Sequence, residues 1–386
     1  MTPKQKARMN AVLQQLKQYQ HKELSFSSGR ILGSMCTMPH PIAKKAYLMF
    51  LETNLGDPDL FPGTKEIEQR YLSFLQKLLN APQRSGGLIV SGGTEGNITA
   101  MWLAKQRSRK KKEIILPVHA HFSMKKIASL MNMRLIAIPL TKDFTMDVSC
   151  VKRKITTNTA AVLGVAGSTE LGTIDPIAEL GELCEDEKIF LHVDAAFGGY
   201  VIPFLHQLGY KVPEFDFTIP GVQSISLDAH KMGYAAIPLG ALLIRDQQWF
   251  ETISVESPYI SSTTHTGLLG TRSGGPVAAA YAVAKYLGYK GYMNLVKQCM
   301  KTTEYAEKRI TDLGLPLFVR PTMNVVGVKL RKPAEVVHQL ATAGWRVNLL
   351  RTLGGMRLVL MPQITTHIID EFIPIFEKTC KKVGEL

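Results

Sequence analysis

The residues best suited to covalent chemistry lie in a short polar turn formed by Asp228, Ala229, His230 and Lys231. The run before it, 222–227, alternates apolar and polar residues and predicts a strand, so Lys231 would lie just past a strand end. A lysine becomes a nucleophile when its ammonium group loses a proton, which desolvation or a neighbouring cation promotes. His230 is one candidate for that cation. The alternative is a solvated lysine without a catalytic role. The turn is a weak signal by itself, so a catalytic role depends on the other motifs of the chain.

A carboxylate, Asp194, ends another apolar run, 189–193. Burying a carboxylate is costly unless it has a cationic partner. Lys231 could be that partner in a purely structural ion pair. The protonated nitrogen of a heteroaromatic ring is the other candidate.

A glycine-rich turn, residues 91–97 (SGGTEGN), follows the apolar run 88–90 and precedes a helical stretch. Glycines allow backbone amides to approach an anion, and a helix N-terminus adds a positive dipole end. The turn predicts a phosphate site, although it is neither a dinucleotide-binding fingerprint nor a P-loop with its lysine. An ordinary turn with a helix cap remains the alternative.

Two histidines, His119 and His121, follow the run 113–118. They could bind a metal, but no third ligand of suitable spacing follows, so a metal site is not predicted. An imidazole at a strand end can instead stack on an aromatic ring. Residues 167–173 (GSTELGT) bring hydroxyl groups to the same edge, after the run 160–165.

The elements that must position these groups alternate between strand and helix from about residue 85 to 245. The predicted strands cover residues 88–90, 113–118, 135–140, 160–165, 189–193, 222–227 and 241–244. The predicted helices cover residues 94–108, 123–132, 147–155 and 176–187. This alternation predicts an α/β domain with helices on both faces of a parallel sheet, where ligands bind at the carboxyl ends of the strands.

The flanking regions predict a second, smaller unit. Residues 1–22 have the spacing of an amphipathic helix, and the irregular segment 24–41 is apolar enough to pack across a cleft. A turn-rich span, 250–275, precedes helices near 277–288 and 291–313. The tail, 314–386, predicts an α+β domain with strands at 325–330 and 356–361 and helices at 334–342 and 365–382. We therefore predict an N-terminal arm over 1–60, a large domain over 61–290 and a small C-terminal domain over 291–386.

Composition narrows the class of protein. The 386 residues carry a net charge of +14, and the basic run 107–112 is explained as the solvated end of a helix, so nucleic acid is not an expected partner. Charge-steered binding of anionic small molecules is expected instead. The chain lacks an apolar run long enough to span a membrane and an apolar N-terminal signal. Its five cysteines are scattered singly, which is typical of reduced thiols and predicts a cytoplasmic protein.

One cofactor requires all the chemical groups above. Pyridoxal 5′-phosphate needs an amine for its aldehyde, a carboxylate for its pyridinium nitrogen, an anion site for its phosphate and a flat partner for its ring. Each feature is a weak signal alone. Together, in compatible chain order, they favour a pyridoxal-phosphate enzyme.

The motifs also resemble those of a known family. Residues 91–97, the sequence HFSxxK from His121, residues 192–199 (HVDAAFGG) and 228–231 (DAHK) resemble the group II pyridoxal-phosphate-dependent amino-acid decarboxylases. Segments 31–41 and 54–58 are similar to the archaeal L-tyrosine/L-aspartate decarboxylases, and the likeness extends from about residue 24 to the tail. It implies fold type I of the pyridoxal-phosphate-dependent transferases (aspartate-aminotransferase-like), with a large, mostly parallel seven-stranded sheet. It also implies a homodimer with its active sites at the subunit interface.

The resemblance implies cofactor-binding roles for individual residues. Lys231 would bind the aldehyde as an aldimine, and Asp194 would pair with the pyridine nitrogen. His121 would stack on one face of the ring, and Ala196 would pack against the other. The phosphate would be held by Gly93, Thr94 and His230. Asp228 departs from the aromatic decarboxylases, which have a neutral polar residue there, and an aspartate should not approach a phosphate closely.

Catalytic roles are implied in the same way. Thr169 would lie near the ring oxygen and the reacting carboxylate, and Arg357 would bind the substrate's α-carboxylate. Tyr259, in a mobile loop within 250–275, would return a proton to the α-carbon. The competitors for that last role are Thr263, Thr264 and His265.

The predicted function is decarboxylation of an L-amino acid, tyrosine to tyramine or aspartate to β-alanine, with glutamate also open. By resemblance, the products suggest methanofuran or coenzyme A biosynthesis. In the segment 24–41, a cation for an acidic substrate could come from Arg30 or His40, and Phe26, Met35 and Met38 could line an apolar slot; plain packing is the alternative for each. Two rival functions remain: a carbon–carbon lyase similar to sphingosine-phosphate lyase, and a non-catalytic cofactor- or nucleic-acid-binding dimer.

Overall fold

The computed structural model describes residues 1–108, 111–258 and 264–386, and its large domain is built on one seven-stranded sheet. The strands are β1 (Gly86–Val90), β2 (Glu113–Pro117), β3 (Arg134–Ile138), β4 (Thr159–Val165), β5 (Phe190–Asp194), β6 (Val222–Leu227) and β7 (Gly240–Ile244). Their order in the sheet is β1-β7-β6-β5-β4-β2-β3. The strand β7 is antiparallel to both of its neighbours, β1 and β6, and the other neighbouring pairs are parallel. All seven predicted strands are confirmed, and buried aliphatic residues on them explain why each forms in the interior.

Helices cover the sheet, and their bounds agree with the predictions to within one or two residues in the large domain. In chain order they are α1 (Pro3–Gln20), α2 (Pro41–Met49), α3 (Pro62–Leu78), α4 (Gly93–Arg107), α5 (Ser123–Met131), α6 (Val148–Lys154), α7 (Ile177–Asp186), α8 (Ile202–Gln207), α9 (Gly274–Asp312), α10 (Pro333–Thr342) and α11 (Thr366–Val383). The two helices predicted near 277–288 and 291–313 form one long element, α9. It is interrupted at Gly288, whose φ of 56° is accessible to glycine at little cost.

The C-terminal region forms a three-stranded antiparallel sheet packed on helices. The tail contributes the strands β10 (Val325–Lys329), β11 (Asn348–Leu350) and β12 (Gly355–Val359), and β12 lies in the middle. Two of these strands were predicted, whereas β11 is too short to stand out by pattern. The side chains of Phe372 and Phe376 on α11 fill a core separate from the cores against the large sheet. The domain boundaries at residues 60 and 290 stay predictions.

The irregular segment before α2 connects the two sheets, as its apolar character predicts. Leu32 is fully buried in the small core, where its N–H donates to the carbonyl of Arg346 (2.8 Å) and its carbonyl accepts from Val359 (2.6 Å). Three residues later, Met35 is buried against the large domain. The segment therefore crosses from one core to the other beside the carboxyl ends of the large sheet.

Two surface features bear on partners. Helix α1 forms as predicted, but none of its residues is buried, and its apolar positions Val12, Leu16 and Tyr19 are about half exposed. A two-stranded hairpin of β8 (Val255–Glu256) and β9 (Thr264–His265) flanks the undescribed residues 259–263. Among the described helices, none combines the length and apolar character needed to traverse a bilayer.

Candidate active site

Eight of the ten predicted site residues line a cavity of about 280 Å³ at the carboxyl ends of the large sheet. It lies where the strands β1, β2, β4, β5 and β6 end, because parallel strands bring their carboxyl ends to one edge. Its lining includes Gly93, Thr94, His121, Thr169, Asp194, Ala196, His230 and Lys231. Residues that are up to 138 positions apart in sequence, from Gly93 to Lys231, therefore share one pocket.

Lys231 forms an ion pair with a different carboxylate from the one considered in the sequence. Its Nζ atom lies 3.0 Å from Oδ2 of Asp228, and its side chain is 20% exposed. Burial lowers the pKa of Lys231, but the carboxylates of Asp228 and Asp194 outweigh burial, so the pKa lies above its ordinary value. The expectation that desolvation or His230 would favour the neutral amine is therefore wrong for this arrangement. Asp228 keeps the amine protonated.

Asp194 is held instead by neutral donors. Its Oδ2 atom accepts a hydrogen bond from the side-chain amide of Asn97 (2.7 Å), and its Oδ1 atom accepts from the backbone N–H of Ala196 (3.1 Å). Only 6% of the residue is exposed. Hydrogen bonds to the charged form favour a carboxylate over a carboxylic acid.

A buried network fixes the orientation of the Asn97 amide. Its Oδ1 atom accepts from the hydroxyl of Ser226 (2.8 Å) and lies 2.9 Å from Nε2 of His192. The other ring nitrogen of His192 lies 2.8 Å from the hydroxyl of Ser224. Burial lowers the pKa of His192 despite the opposing charge of Asp194, so the ring is neutral and donates from Nε2. The Asn97 oxygen is thus occupied by two donors, which leaves its NH₂ group to face Asp194.

The glycine-rich turn leads directly into the N-terminus of a helix, which is the geometry that the predicted phosphate site requires. Helix α4 begins at Gly93, so the first backbone N–H groups of the helix lack acceptors within it. A Cβ atom on Gly92 would lie 3.1 Å from the ring of His230, and one on Gly93 would lie 3.2 Å from Oδ2 of Asp228. The turn therefore needs glycine for the close approach of these side chains as well as for ligand access.

Asp228 lies close to this turn. Its position matters because the aromatic decarboxylases have a neutral polar residue there, and an aspartate would repel a phosphate. Its side chain is 3% exposed, and its Oδ1 atom has no hydrogen-bond partner in the described part of the chain. The ammonium group of Lys231, 3.0 Å away, offsets its charge, and Nε2 of His230 lies 3.8 Å from the same carboxylate. The carboxylate is thus balanced by Lys231 beside the glycine-rich turn.

His121 is arranged as a neutral ring beside the cavity. Burial lowers its pKa, although Asp194 acts in the opposite direction. Its Nδ1 atom is bonded to the hydroxyl of Ser123 (2.9 Å), at the start of α5. A hydrogen bond at one ring edge fixes the plane of the ring, as a stacking role requires.

Arg357 lies behind the cavity wall and does not line it. Its guanidinium donates to the backbone carbonyls of Thr169 and Gly33, the latter at 2.6 Å, while its buried Nε atom has no partner among the residues that the structure describes. Burial lowers its pKa to about 10, with Glu170 opposing, so it stays charged at neutral pH. The two carbonyls occupy only part of the five N–H donors of the guanidinium, and the contact with a substrate carboxylate stays a prediction.

Of the remaining residues considered in the sequence, some line a cavity, some pack elsewhere and some lie outside the described chain. Tyr259 and Thr263 lie outside the described residues, and His265 on β9 lines a different cavity. Met35 lines the active-site cavity, as an apolar slot requires. Arg30 instead lies over the ring of Trp345 (5.4 Å). His40 packs against the aromatic rings of Tyr234 and Tyr286.

Sequence reasoning missed the network behind Asp194. Asn97 and His192 lie inside motifs that were noticed, but no role was given to them. A period-2 signal could have found part of the network, because the register pairs His192 with Ser224 and Asp194 with Ser226 across β5 and β6. The partner Asn97 lies on α4, and sequence spacing gives no hint of that contact.

The donor set fits pyridoxal 5′-phosphate. Thr94 and the N-terminus of α4 offer donors for a phosphate, Lys231 an amine for an aldehyde and Asp194 a carboxylate for a pyridinium nitrogen. His121 and Ala196 offer a flat ring and a small side chain for the two faces of a ring. A phosphate would not satisfy the buried Oδ1 atom of Asp228, which has no partner among the described residues, because both groups accept hydrogen bonds.

Comparison with known proteins supports pyridoxal 5′-phosphate as the cofactor. The sequence profile described as "Pyridoxal-dependent decarboxylase conserved domain" matches residues 51–328. A probable L-tyrosine/L-aspartate decarboxylase of Methanothermobacter thermautotrophicus is 44% identical over 91% of this chain and 96% of its own length. An L-aspartate/L-glutamate decarboxylase of Pyrococcus horikoshii is 42% identical over 94% of this chain and 95% of its own length.

Solved structures confirm the predicted fold class. A sphingosine-1-phosphate lyase of Burkholderia pseudomallei has a TM-score of 0.89 and 25% identity, covering 99% of this chain and 91% of its own. A glutamate decarboxylase of Lactobacillus brevis has a TM-score of 0.87 and 21% identity, covering 100% and 94%. The second likeness concerns the fold alone. With the profile covering most of the chain and relatives above 40% identity along nearly all of it, this protein belongs to the pyridoxal-dependent decarboxylase family.

Proposed function

We propose that this pyridoxal-phosphate-dependent carboxy-lyase removes the α-carboxylate of L-tyrosine, L-aspartate or both, with tyramine and β-alanine as products. The observation that carries the proposal is that Lys231 and Asp194 line one cavity beside a helix N-terminus. The substrates are those in the name of the Methanothermobacter relative, and aspartate also occurs in the name of the Pyrococcus relative. Glutamate, the second substrate in the latter name, belongs in the same assay.

Bound pyridoxal 5′-phosphate supplies an acceptor for the electron pair that stays behind when carbon dioxide leaves. Lys231 would hold the cofactor covalently through Nζ and yield its place to the amino group of the substrate. In the structure Nζ is protonated beside Asp228, so a proton must leave it before this bond can form. The carboxylate of Asp228 is the nearest acceptor for that proton.

Asp194 would hold the ring nitrogen of the cofactor in its protonated form. The network of Asn97 and His192 supports this role, because it gives the carboxylate a neutral donor without a competing cation. A lysine or arginine in the place of Asn97 would neutralise Asp194 and weaken its pull on a ring proton. Asp194 is thus prepared to keep a negative charge toward the cavity.

Arg357 and Thr169 would receive the carboxylate that is lost. The guanidinium remains charged because its pKa is about 10, and it already contacts the carbonyl of Thr169 at the cavity edge. Binding by an arginine orients a carboxylate without giving it a proton, so that it can depart as carbon dioxide. Return of a proton to the α-carbon stays assigned to Tyr259 as a prediction from the sequence.

The lining of the active-site cavity includes the apolar residues Met35, Val165 and Phe197, which supports an aromatic substrate. Arg30 and His40 do not line the cavity, so neither supplies the extra cation that an acidic substrate needs within this chain. A second subunit could supply such a group if the active site lies at a subunit interface.

We include a homodimer in the proposal, as the family resemblance implies. Support comes from large apolar side chains that are exposed near the ends of α2 and α3, among them Leu48 (70%), Met49 (77%) and Leu60 (70%). Burying such residues against a second copy would remove a large apolar area from water. Light scattering on the cofactor-loaded protein should give twice the chain mass of 42.8 kDa.

A cytoplasmic location stays part of the proposal, and all five cysteines are free, as reduced thiols would be.

The deciding experiment measures carbon dioxide and amine from L-tyrosine, L-aspartate and L-glutamate, each with the cofactor-loaded protein. Borohydride reduction before digestion should add the mass of the reduced cofactor to the peptide that contains Lys231. Lys231→Ala should lose both that mass and all turnover. Lys285→Ala, on the accessible surface of α9, is the matched control and should retain both.

A second candidate, cleavage of a phosphorylated amino alcohol, is favoured by the TM-score of 0.89 to the Burkholderia lyase. Sphingosine phosphate therefore joins the amino acids in the assay. Formation of a long-chain aldehyde with no amine from any amino acid would overturn the decarboxylase proposal.

A further inference from the structure

Four polar side chains lie on one buried face of the large sheet, where Asn97 of α4 packs against β5 and β6. The register of the two strands pairs His192 with Ser224 and Asp194 with Ser226. The histidine and both serines are fully buried. Burying polar groups costs free energy unless they are paired, and apolar residues would fill this face at lower cost. The cluster therefore requires an explanation other than packing.

The charge of Asp194 sets the direction of the hydrogen bonds in this cluster. A carboxylate can only accept, so the nitrogen of the Asn97 amide faces it, at 2.7 Å. The amide oxygen then faces Nε2 of His192 at 2.9 Å, so this ring nitrogen carries the hydrogen. Nδ1 is left with a lone pair, which accepts from the hydroxyl of Ser224 at 2.8 Å. The donors therefore run in one direction along the chain, from the serine to the carboxylate.

A chain of this kind acts on the group at its end. Hydrogen bonds in series polarise one another in a low-dielectric interior, so each donor strengthens the next. Burial lowers the pKa of His192, which keeps the ring neutral and its single hydrogen on Nε2. A second ring hydrogen would bring a positive charge close to Asp194 and weaken its attraction for a cation in the cavity. The neutral ring therefore stabilises the carboxylate without cancelling its charge.

We propose that His192 is a positioning residue for the cofactor, which acts on the pyridine nitrogen through Asn97 and Asp194. Its Nε2–H fixes the amide of Asn97, with Ser224 holding the tautomer, and the amide in turn holds the carboxylate toward the ring nitrogen. The inference rests on Asp194 facing that nitrogen, as the proposed function assigns. Neither His192 nor Ser224 is among the described residues that line the cavity. The state of the ring nitrogen is thus controlled from outside the cavity.

Two replacements of His192 separate its hydrogen bond from its volume. In His192→Gln the side-chain amide can reach the position of Nε2 and still donate to Asn97. In His192→Met a side chain of similar length fills the space and donates nothing. The control for a hydrogen bond lost elsewhere is Thr303→Val, which removes a fully buried hydroxyl that donates to the carbonyl of Cys299 on α9 (2.8 Å).

The first measurement observes the ring nitrogen directly. The protein is loaded with pyridoxal 5′-phosphate that carries ¹⁵N in its ring, because the chemical shift of this nitrogen reports whether it is protonated. The parent enzyme and His192→Gln should both show the signal of a protonated ring. In His192→Met the signal should move toward that of the unprotonated nitrogen. Its kcat should fall about tenfold with KM little changed, as expected for the loss of one hydrogen bond. Thr303→Val should keep the ring signal and the kcat of the parent.

A double variant tests whether His192 acts through Asn97. Asn97→Ala removes the link between the histidine and Asp194. Adding His192→Met to Asn97→Ala should change neither the ring signal nor kcat further, because no amide is left for the histidine to fix. Effects of the two replacements that simply add would overturn the proposal in favour of a role in packing.

A third measurement does not depend on turnover. In protein labelled with ¹⁵N-histidine, before and after cofactor loading, the signals absent from His192→Gln identify this ring. They should show hydrogen on Nε2 and none on Nδ1. Ser224→Ala removes the donor to Nδ1 and should raise the population with hydrogen on Nδ1, with a smaller shift of the ring signal than in His192→Met. Hydrogen on Nδ1 in the parent would reverse the direction of the chain and overturn the proposal.

The outcomes separate this inference from the proposed function. If the parent forms no amine from any amino acid but its ring signal responds to His192→Met as expected, decarboxylation fails and the role of His192 stands. If the parent is active and His192→Met keeps its ring signal and kcat, the assignment to His192 is overturned. If His192→Met does not fold, Ser224→Ala replaces it, and an unchanged tautomer and ring signal in that variant would overturn the proposal.

Discussion

Two aspartates follow neighbouring strands of the large sheet, and their surroundings differ in kind. Asp194, at the end of β5, is held by the amide of Asn97 and a backbone N–H, both neutral donors. Asp228, just after β6, faces the ammonium of Lys231 at 3.0 Å, and one of its oxygens has no partner in the described parts of the chain. Both residues are at least 94% buried. The two aspartates therefore differ in their surroundings: neutral donors stabilise the charge of Asp194, whereas the charge of Asp228 balances that of Lys231.

In the proposed function, Asp194 would stabilise a protonated ring nitrogen, and Asp228 would accept the proton that Lys231 must lose. A carboxylate stabilised by neutral donors keeps its full charge for an incoming cation. A carboxylate paired with a lysine has that charge cancelled until the lysine loses its proton. The neighbouring positions of β5 and β6 in the sheet bring both carboxylates to one pocket. The side chains around each carboxylate determine how its charge is balanced.

The largest effect is expected from removing the charge that faces the ring. Asp194→Ala should lower kcat by several orders of magnitude, because the cofactor loses the partner of its pyridinium nitrogen. The borohydride adduct on Lys231 should still form, which measures cofactor attachment independently. The exposed Asp143→Ala is the control. A kcat within tenfold of the parent would show that the two aspartates do not differ in the proposed way.

A smaller effect is expected from changing the donor behind Asp194. Asn97→Asp places a second carboxyl where the amide donates at 2.7 Å, so one of the two groups must take up a proton. We expect kcat to fall about 10²-fold and cofactor absorbance to become more dependent on pH, as for a perturbed acid–base partner. Steady-state kinetics and a spectral titration measure the two effects. If Asn97→Asp matches the parent in both, the network has no catalytic part.

The smallest effect is expected at the other aspartate. Asp228→Asn removes the strongest influence that raises the pKa of Lys231, so the pKa should fall and more neutral amine should be present at neutral pH. Covalent attachment of pyridoxal 5′-phosphate to the cofactor-free protein should become several-fold faster at pH 7, and its pH profile should move to lower pH. Stopped-flow absorbance measures this rate. An unchanged profile would mean that Asp228 does not control the protonation of Lys231.

Much of the large domain could be predicted because its signals are local. Short aliphatic runs such as Thr159–Val165 form strands that are buried on both faces, and their composition alone identifies them. The break near Gly288 was also local, since a glycine marks it. The strand β11 was missed because three residues carry no periodic pattern. Arg357 was placed correctly on β12, but its bonds to two backbone carbonyls depend on segments far away in sequence.

The sequence alone determined which chemical groups are present and at which strand ends they lie, because strand formation and chain order are encoded locally. It therefore predicted a lysine, an aspartate, a histidine and an anion site suited to a pyridoxal-phosphate enzyme. Only the tertiary structure decided which groups meet: Lys231 with Asp228, Asp194 with Asn97, and His119 with Asp175. Those pairs depend on the order of strands in the sheet and on helix packing. The protonation state of a buried group is set by its neighbours in space, whatever their distance along the chain.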